Sequence, residues 1–412
     1  FRFFNKPKFK NKEAKNWTQE DVGIILLTNK ARNENWNKEI KHRQKFGVEQ
    51  EHEYETLETR IAKLNLAIRI ETPAIPDGKS EVEMWEIFRI LFDLIQEEDE
   101  LYFDLTHSFR YLPMLLLVFG NYVKFLKKVK VIHISYGNYE ARDIDTNVAP
   151  IIDLLPISAL QDWTFASANY LENGVVSRLV ELCTSELKPI LIETKGKDDN
   201  VKNLQRFIVS LNKVVEERIN CRGVSIVNSE NMRVLKHTSR KLGNTFIEPL
   251  NPIFDKIKNS LDDFDENENV NNGFAAVKWC LDFELYQQAT TILNENIITF
   301  VCSKNGLNWK VEAERLLVNT AFNVKEKPID ESVWKISNKE IQTPEREVLI
   351  NKVKALMQTT EVEKLSKLFI ALTDLRNDYN HAGMRNNPMS ADSLRKSLIE
   401  KYESIIKLIS PC

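Results

Sequence analysis

The hydrophobic pattern of this chain changes once, near residue 155, and that change limits the fold more than any other feature. Before it, short β-rich apolar runs alternate with helical ones. VGIILLT (22–28), LNLAIRIETPAIP (64–76), ELYFDL (100–105) and KVIHISYG (130–137) read as strands. A polar, helix-compatible segment beginning NKARNENWNKEI follows the first of them. In SEVEMWEIFRILFDLIQEE (80–98), Val82, Trp85, Phe88, Ile90, Leu91, Phe92, Leu94 and Ile95 recur at mostly helical spacing, with Ser80 as N-cap. PMLLLVFGNYVKFLKK (113–128) is a second helix. Strands divided by helices predict a parallel, doubly wound, Rossmann-like sheet.

Beyond residue 155 the β signals fade. LQDWTFASANYLENGVVSRLVELC and VKNLQRFIVSLNKVVEERI read as amphipathic helices joined through the loop ETKGKDDN (193–200). SLDDFDENENVNNG (260–273) is acidic, Asn-rich and poor in apolar residues, the composition of a linker. After it, FAAVKWCLDFELYQQATTILNENIITFVC (274–302) predicts one long helix or a pair. EVEKLSKLFIALTDLRNDYNHAG (361–383) carries Leu365, Leu368, Leu372, Leu375 and Tyr379 on one stripe, with Gly383 as C′ stop. The expected class is therefore α/β plus all-α: 1–155 Rossmann-like, 156–270 a helical linker region, 271–412 an all-helical domain. No internal repeat is visible.

Composition narrows the function. A chain of 412 residues exceeds one ordinary core, and 42% apolar with 28% charged residues is the mix of a globular protein. A net charge of −3 argues against a globally basic nucleic-acid binder, so an RNA or DNA contact needs a local patch. Cys183, Cys221, Cys280, Cys302 and Cys412 are scattered without ligand spacing, which predicts a reducing compartment and no metal. The longest apolar run, LPMLLLVFG (112–120), falls short of the roughly 20 residues of a membrane helix. FRFFNKPKFK does not resemble a secretion signal. A cytoplasmic protein whose natural N-terminus lies upstream of Phe1 is the expectation.

Two short stretches carry chemistry. DLTHSFRYLP (104–113) joins a strand to a helix with Pro113 near its start. In open α/β sheets ligands collect at the carboxyl ends of strands, and helix N-termini favour anions. This turn adds the Thr106 and Ser108 hydroxyls, the His107 imidazole and the Arg110 guanidinium, which forks onto phosphate. SYGNYEARD (135–143) follows the next strand and Thr28–Asn29–Lys30 follows the first one, so several polar strand ends converging on one rim describe a nucleotide-sized site. No GxGxxG occurs, which disfavours an ordinary NAD domain. The plainer alternative is that Thr106 and Ser108 cap the helix while His107 bonds a neighbouring loop.

The second stretch is RNDYNHAGMR (376–385). Arg and His separated by four to six residues are expected about once by chance in a chain of this composition. Helix-end cations offsetting the dipole are the plainer alternative. Positions five apart point roughly 140° away from each other on a helix, so Arg376 and His381 do not focus on one phosphate from a single helix. Two copies facing across a dimer axis would. His and Arg without metal ligands suit RNA cleavage by the 2′-hydroxyl: histidine moves the proton and arginine stabilises the phosphorane charge. Asn377 would hold the phosphate or orient the histidine.

With the turn DLTHSFRYLP, the early strand and its TNKARNENW tail, the helix segment LYQQATTILNE and the motif RNDYNH, the chain resembles the CARF–HEPN ribonucleases, accessory effectors of type III CRISPR systems. The resemblance implies an N-terminal CARF domain that binds a cyclic oligoadenylate, tetra- or hexa-adenylate, across a homodimer or higher even oligomer. It also implies that binding activates metal-independent cleavage of single-stranded RNA by a HEPN dimer, with no cofactor, in antiviral defence. The ring-binding turn is then Thr106, His107, Ser108, Phe109 and Arg110, with Thr28, Asn29, Tyr136 and Gly137 beside it. The cleavage motif is Arg376, Asn377 and His381. Such domains usually open with a strand ending in a Gly/Ser turn, which is not assignable here. Two other readings stay open. One is a ligand-sensing regulator whose basic stretch 221–243 binds DNA or protein. The other is degradation of the ring by the N-terminal domain, with His107 as participant.

Overall fold

A computed structural model describes residues 17–37, 40–45, 48–53, 55–106, 111–242, 248–339 and 342–409. The chain divides into two compact units, Phe1–Leu155 and Pro156–Cys412.

In the first unit the strands are β1 (Val22–Ile24), β2 (Ile40–Lys45), β3 (Val48–Glu53), β4 (Arg69–Glu71), β5 (Glu100–Asp104), β6 (Lys130–Gly137) and β7 (Ile151–Asp153). β1 pairs in parallel with β4, and a bridge between Leu27 and Ala74 extends that pairing to the turn after β1. β5 pairs in parallel with β6. The parallel pairing expected of strands separated by helices is present in both ladders, but among the described residues β1–β4 and β5–β6–β7 are separate sheets rather than the one doubly wound sheet expected. β7 departs from it, lying antiparallel on the free edge of β6 with Ser135 opposite Asp153.

Helix Glu81–Leu94 starts where the sequence places it: Ser80 Oγ accepts the Glu83 N–H at 3.2 Å, and Glu83 Oε2 accepts the Lys79 N–H at 2.8 Å. Helix Leu112–Lys127 has Pro113 in its first turn. The two helices bury Ile87, Leu91, Phe119 and Val123 in one apolar cluster with Ile75, at the end of the β4 ladder. Ile87, Phe119 and Val123 are fully buried, each stabilising the fold by roughly 1.5–3 kcal/mol.

The segment after β1 is helical only from Asn29 to Trp36, a short turn and a wide π-turn. Instead of continuing as a helix, the chain forms the antiparallel hairpin β2–β3, with Ile40 opposite Glu53 and Lys45 opposite Val48. The residues of this stretch have no apolar period for a helix to bury, whereas two adjacent strands satisfy each other's backbone groups.

The second unit is helical. Its longest members are Leu155–Asn173, Asp199–Ile219, Tyr286–Lys304, Thr360–Asn380 and Ala391–Ile409. A single apolar core runs from Trp163 to Ile405. The stretches 156–270 and 271–412 share that core rather than forming separate bodies. The acidic segment 260–273 is correspondingly no loose connection. Leu261 and Phe264 are buried, the buried Asn272 accepts the Asp265 N–H at 2.7 Å, and Asp263 pairs with Lys278 at 2.7 Å. Two apolar side chains three residues apart anchor it, a detail that averaged composition hides.

Candidate functional site

At the carboxyl ends of β5 and β6, Thr106 is the joint. Its hydroxyl donates to Asp104 Oδ1 at 2.6 Å and accepts the Gly137 N–H at 2.9 Å, while its own N–H donates to the same Asp104 oxygen at 2.9 Å. The Leu105 N–H donates to the Ser135 carbonyl at 2.8 Å just before it. The hydroxyl thus links two strand ends. Helix Leu112–Lys127 has no side-chain hydrogen bond at its N-cap, so Thr106 does not cap that helix. Gly137 is needed by this contact: a Cβ there would sit 2.9 Å from Thr106 Cγ2.

The turn after β1 is built similarly. Thr28 is buried, and its hydroxyl accepts the Ala31 N–H at 3.1 Å. Arg32, overlooked in the sequence, donates from Nη2 to the Thr72 carbonyl at 2.6 Å and so ties this turn to the end of β4. Asn29 is exposed and Tyr136 half-buried. His107, Ser108, Phe109 and Arg110 lie outside the described residues. Thr106 and Gly137 are brought into contact; the Thr28 hydroxyl is instead engaged locally with Ala31. Asp104 was missed although Asp-x-Thr is a recognisable side-chain-to-backbone turn signal.

In the helical unit, Thr359 caps helix Thr360–Asn380, its hydroxyl accepting the Val362 N–H at 3.4 Å. Leu365, Leu372 and Leu375 of the expected stripe are buried and Leu368 and Tyr379 partly so. Phe369 stacks on Phe322 with ring centroids 4.4 Å apart. This packing sets the rotation of the helix and lays Arg376 against helix Tyr286–Lys304. Arg376 Nη1 donates to Asn294 Oδ1 at 2.9 Å and to Glu295 Oε1 at 3.2 Å. Asn294 Nδ2 donates in turn to Thr373 Oγ1 at 3.0 Å. Among the described residues the buried Arg376 Nε has no hydrogen-bond partner.

His381 is exposed and forms the C-cap, its N–H donating to the Asn377 carbonyl at 3.0 Å. The left-handed stop takes two residues, not Gly383 alone: Ala382 has φ 51° and Gly383 φ 71°, and the Gly383 N–H returns to the Asp378 carbonyl at 3.1 Å. Ala382 occupies the C′ position because the chain turns immediately after the histidine. The loop beyond is tied back by the Met389 N–H to the buried Asp378 Oδ2 at 3.1 Å, and by Arg385 Nη1 to the Asp374 carbonyl at 3.1 Å. Burial, then the neighbouring Tyr286 and Asp378, push the Tyr379 phenol above its ordinary pKa.

Asn294, Glu295 and Asp378 were not singled out from sequence. The signal for the first was present: ATTILNENIITFVC is apolar nearly all round yet carries asparagines, and Asn294 and Asn296 are both buried. The cysteines offer no competing nucleophile among the described residues. Burial pushes the Cys183 and Cys280 thiols up to about 12 and Cys302 up to about 11. Among the described residues no group of three or more His, Cys, Asp or Glu is placed to hold a metal, and no helix is long and apolar enough to cross a membrane.

Residues 11–140 match the family model for the CARF domain of the CRISPR system endoribonuclease Csx1. The Rossmann-like N-terminal unit is thus a CARF domain, followed by a mostly helical unit. Over 239 residues the chain is 27% identical to CRISPR-associated protein MJ1674 of Methanocaldococcus jannaschii, a match covering 56% of this chain and 34% of that protein. The chain spans about a third of the length of this curated relative. Together the two matches support a CRISPR-associated CARF protein.

Proposed function

We propose that this protein is a single-stranded RNA endoribonuclease switched on by a cyclic oligoadenylate bound to its CARF domain. The observation that carries the reading is the setting of Arg376: its guanidinium is held against Asn294 and Glu295 at the same helix end that presents the exposed His381. A guanidinium and an imidazole suffice for transesterification. His381 takes the proton of the 2′-hydroxyl, the 2′-oxygen attacks the adjacent phosphorus, and Arg376 stabilises the charge on the phosphorane. The 5′-oxygen leaves with a proton delivered by water or by the imidazolium that His381 has become, giving a 2′,3′-cyclic phosphate and a 5′-hydroxyl. Asn377 holds the phosphate or orients the imidazole. DNA, lacking the 2′-hydroxyl, is not a substrate.

Arg376 and His381 of one helix diverge by roughly 140°, so the site is composite, made by two copies about a two-fold axis. An exposed apolar stripe in the first unit supports pairing. Met114 (74% exposed), Val118 (62%) and Phe125 (85%) lie along one face of helix Leu112–Lys127, and patches of this kind mark association surfaces. An even-membered adenylate ring shares the two-fold symmetry, and the strand end at Thr106 of each copy would meet half of it. Activation requires that the ring bind the active arrangement better than the inactive one.

The basic stretch 221–243 does not favour the DNA-binding reading. Arg233 Nε donates to the Glu266 carbonyl at 3.1 Å, Lys236 Nζ to the Phe264 carbonyl, and Arg240 pairs with Glu266 at 2.9 Å. These cations are committed within the unit.

The test is cleavage of a fluorescent single-stranded RNA in EDTA, with and without cyclic tetra- and hexa-adenylate, by the intact protein and by His381→Ala. Cleavage that needs one ring and is lost in the variant is the expected result. A protein that binds a ring and cuts no RNA would instead be a regulator. Ring degradation that survives His381→Ala would assign a second activity to the N-terminal domain.

A further inference from the structure

Resting on that reading, we infer that Glu295 is the positioning residue for Arg376 and that Arg315 acts through it. The carboxylate is shared by two guanidiniums. Oε1 receives Arg376 Nη1 at 3.2 Å and Oε2 receives Arg315 Nη2 at 2.6 Å. The two sides are not equivalent. Arg315 is fixed at four points: it also donates from Nη2 to the Glu295 carbonyl at 3.0 Å, and from Nη1 to Thr299 Oγ1 at 2.8 Å and the Trp309 carbonyl at 3.3 Å. Among the described residues, Arg376 is held by protein acceptors at Nη1 alone, with its Nε buried and unbonded. Arg315 therefore immobilises the carboxylate, and the carboxylate sets where Arg376 stands.

The division of labour follows from the nitrogens. An arginine tethered through one terminal nitrogen keeps the rest of its fork for two oxygens of a phosphate. Its Nε, a donor left without a partner inside the protein, is an unfavourable element of the ligand-free state that a phosphate oxygen would relieve once Arg376 turns about its Nη1 tether. A neutral side chain at 295 would leave two cations, Arg315 and Arg376, beside each other without a shared counter-ion. Asn294 cannot substitute, because its amide is already spent on Thr373 and Arg376.

Glu295→Gln keeps the size and one acceptor oxygen while removing the charge. Activator-saturated cleavage of the same RNA is expected to lose at least tenfold in kcat with KM changed less than twofold, because Arg376 is misplaced in the transition state rather than absent from binding. Arg315→Met should show a similar loss alone and little further loss in the Glu295→Gln background. Ring binding of all variants should stay near wild type, and each variant should remain fully folded at the assay temperature by thermal melting even where its melting temperature falls, which separates positioning from folding. Wild-type kcat in Glu295→Gln overturns the inference. So does a loss that tracks the unfolded fraction, or activity that rises without the ring, which would make Glu295 a restraint. A wild-type protein that cuts no RNA sinks the ribonuclease reading and this inference with it, whereas an active wild type with an indifferent Glu295→Gln sinks the inference alone.

Discussion

The Gly137 N–H donates to the Thr106 hydroxyl at 2.9 Å, joining the end of β6 to the end of β5 through one side chain. Because that oxygen also donates to Asp104, a single residue couples both sides of the candidate ligand rim. Gly137→Ala would press a Cβ to 2.9 Å from Thr106 Cγ2 and 3.1 Å from its Oγ1, so one strand end must move. The expected cost is about 1–3 kcal/mol, with weaker ring binding, read by thermal melting and by titration with the ring. Adding Thr106→Ser removes the methyl and keeps the hydroxyl, and should restore part of both. If the double variant is no better than Gly137→Ala alone, the contact does not govern the rim.

The buried cysteines make alkaline stability predictable. Burial raises the Cys183 and Cys280 thiols to about 12 and Cys302 to about 11 from the usual 9. A pKa higher in the folded than in the unfolded state means both states hold the proton below pH 9 and only the folded state holds it above. Stability should therefore fall as pH rises from about 9 toward 12. Denaturant titrations at stepped pH check this, and replacing Cys280 by Ser or Ala should flatten the slope. Native protein at pH 8 should also leave these three thiols unmodified by a disulfide reagent that labels them at once when unfolded.

A third expectation concerns association. Val118 and Phe125 face solvent, so Val118→Glu with Phe125→Glu should change the stability of one chain by less than about 1 kcal/mol. If two copies pair through this stripe, sedimentation should show wild type as a dimer and the variant as a monomer, with unchanged circular dichroism. Loss of ring-activated cleavage should accompany dissociation. A wild type that sediments as a monomer at assay concentrations removes the basis for a composite site.

Local order was legible in the chain itself because it depends on neighbours. Ser80 at the start of helix Glu81–Leu94, Pro113 at the next and the leucine stripe of Thr360–Asn380 all follow from spacing over a few residues. So did the switch near residue 155 from alternating strands to helices. What one chain alone determined about the candidate site is its vocabulary: an Asp-x-Thr turn, an arginine, an asparagine and a histidine near a helix end.

Tertiary structure decided the rest. The hairpin β2–β3 and the edge strand β7 depend on pairing between segments, which composition does not encode. The acidic segment 260–273 looked like a linker because its two buried apolar residues are outnumbered by charges whose partners, Lys278 among them, lie outside it. Arg376 finds its acceptors on Asn294 and Glu295, 82 and 81 residues earlier in the chain. No periodicity reaches that far. Only the packing of three helices, Tyr286–Lys304, Glu312–Glu326 and Thr360–Asn380, driven by burial of their apolar faces, brings one carboxylate between two arginines.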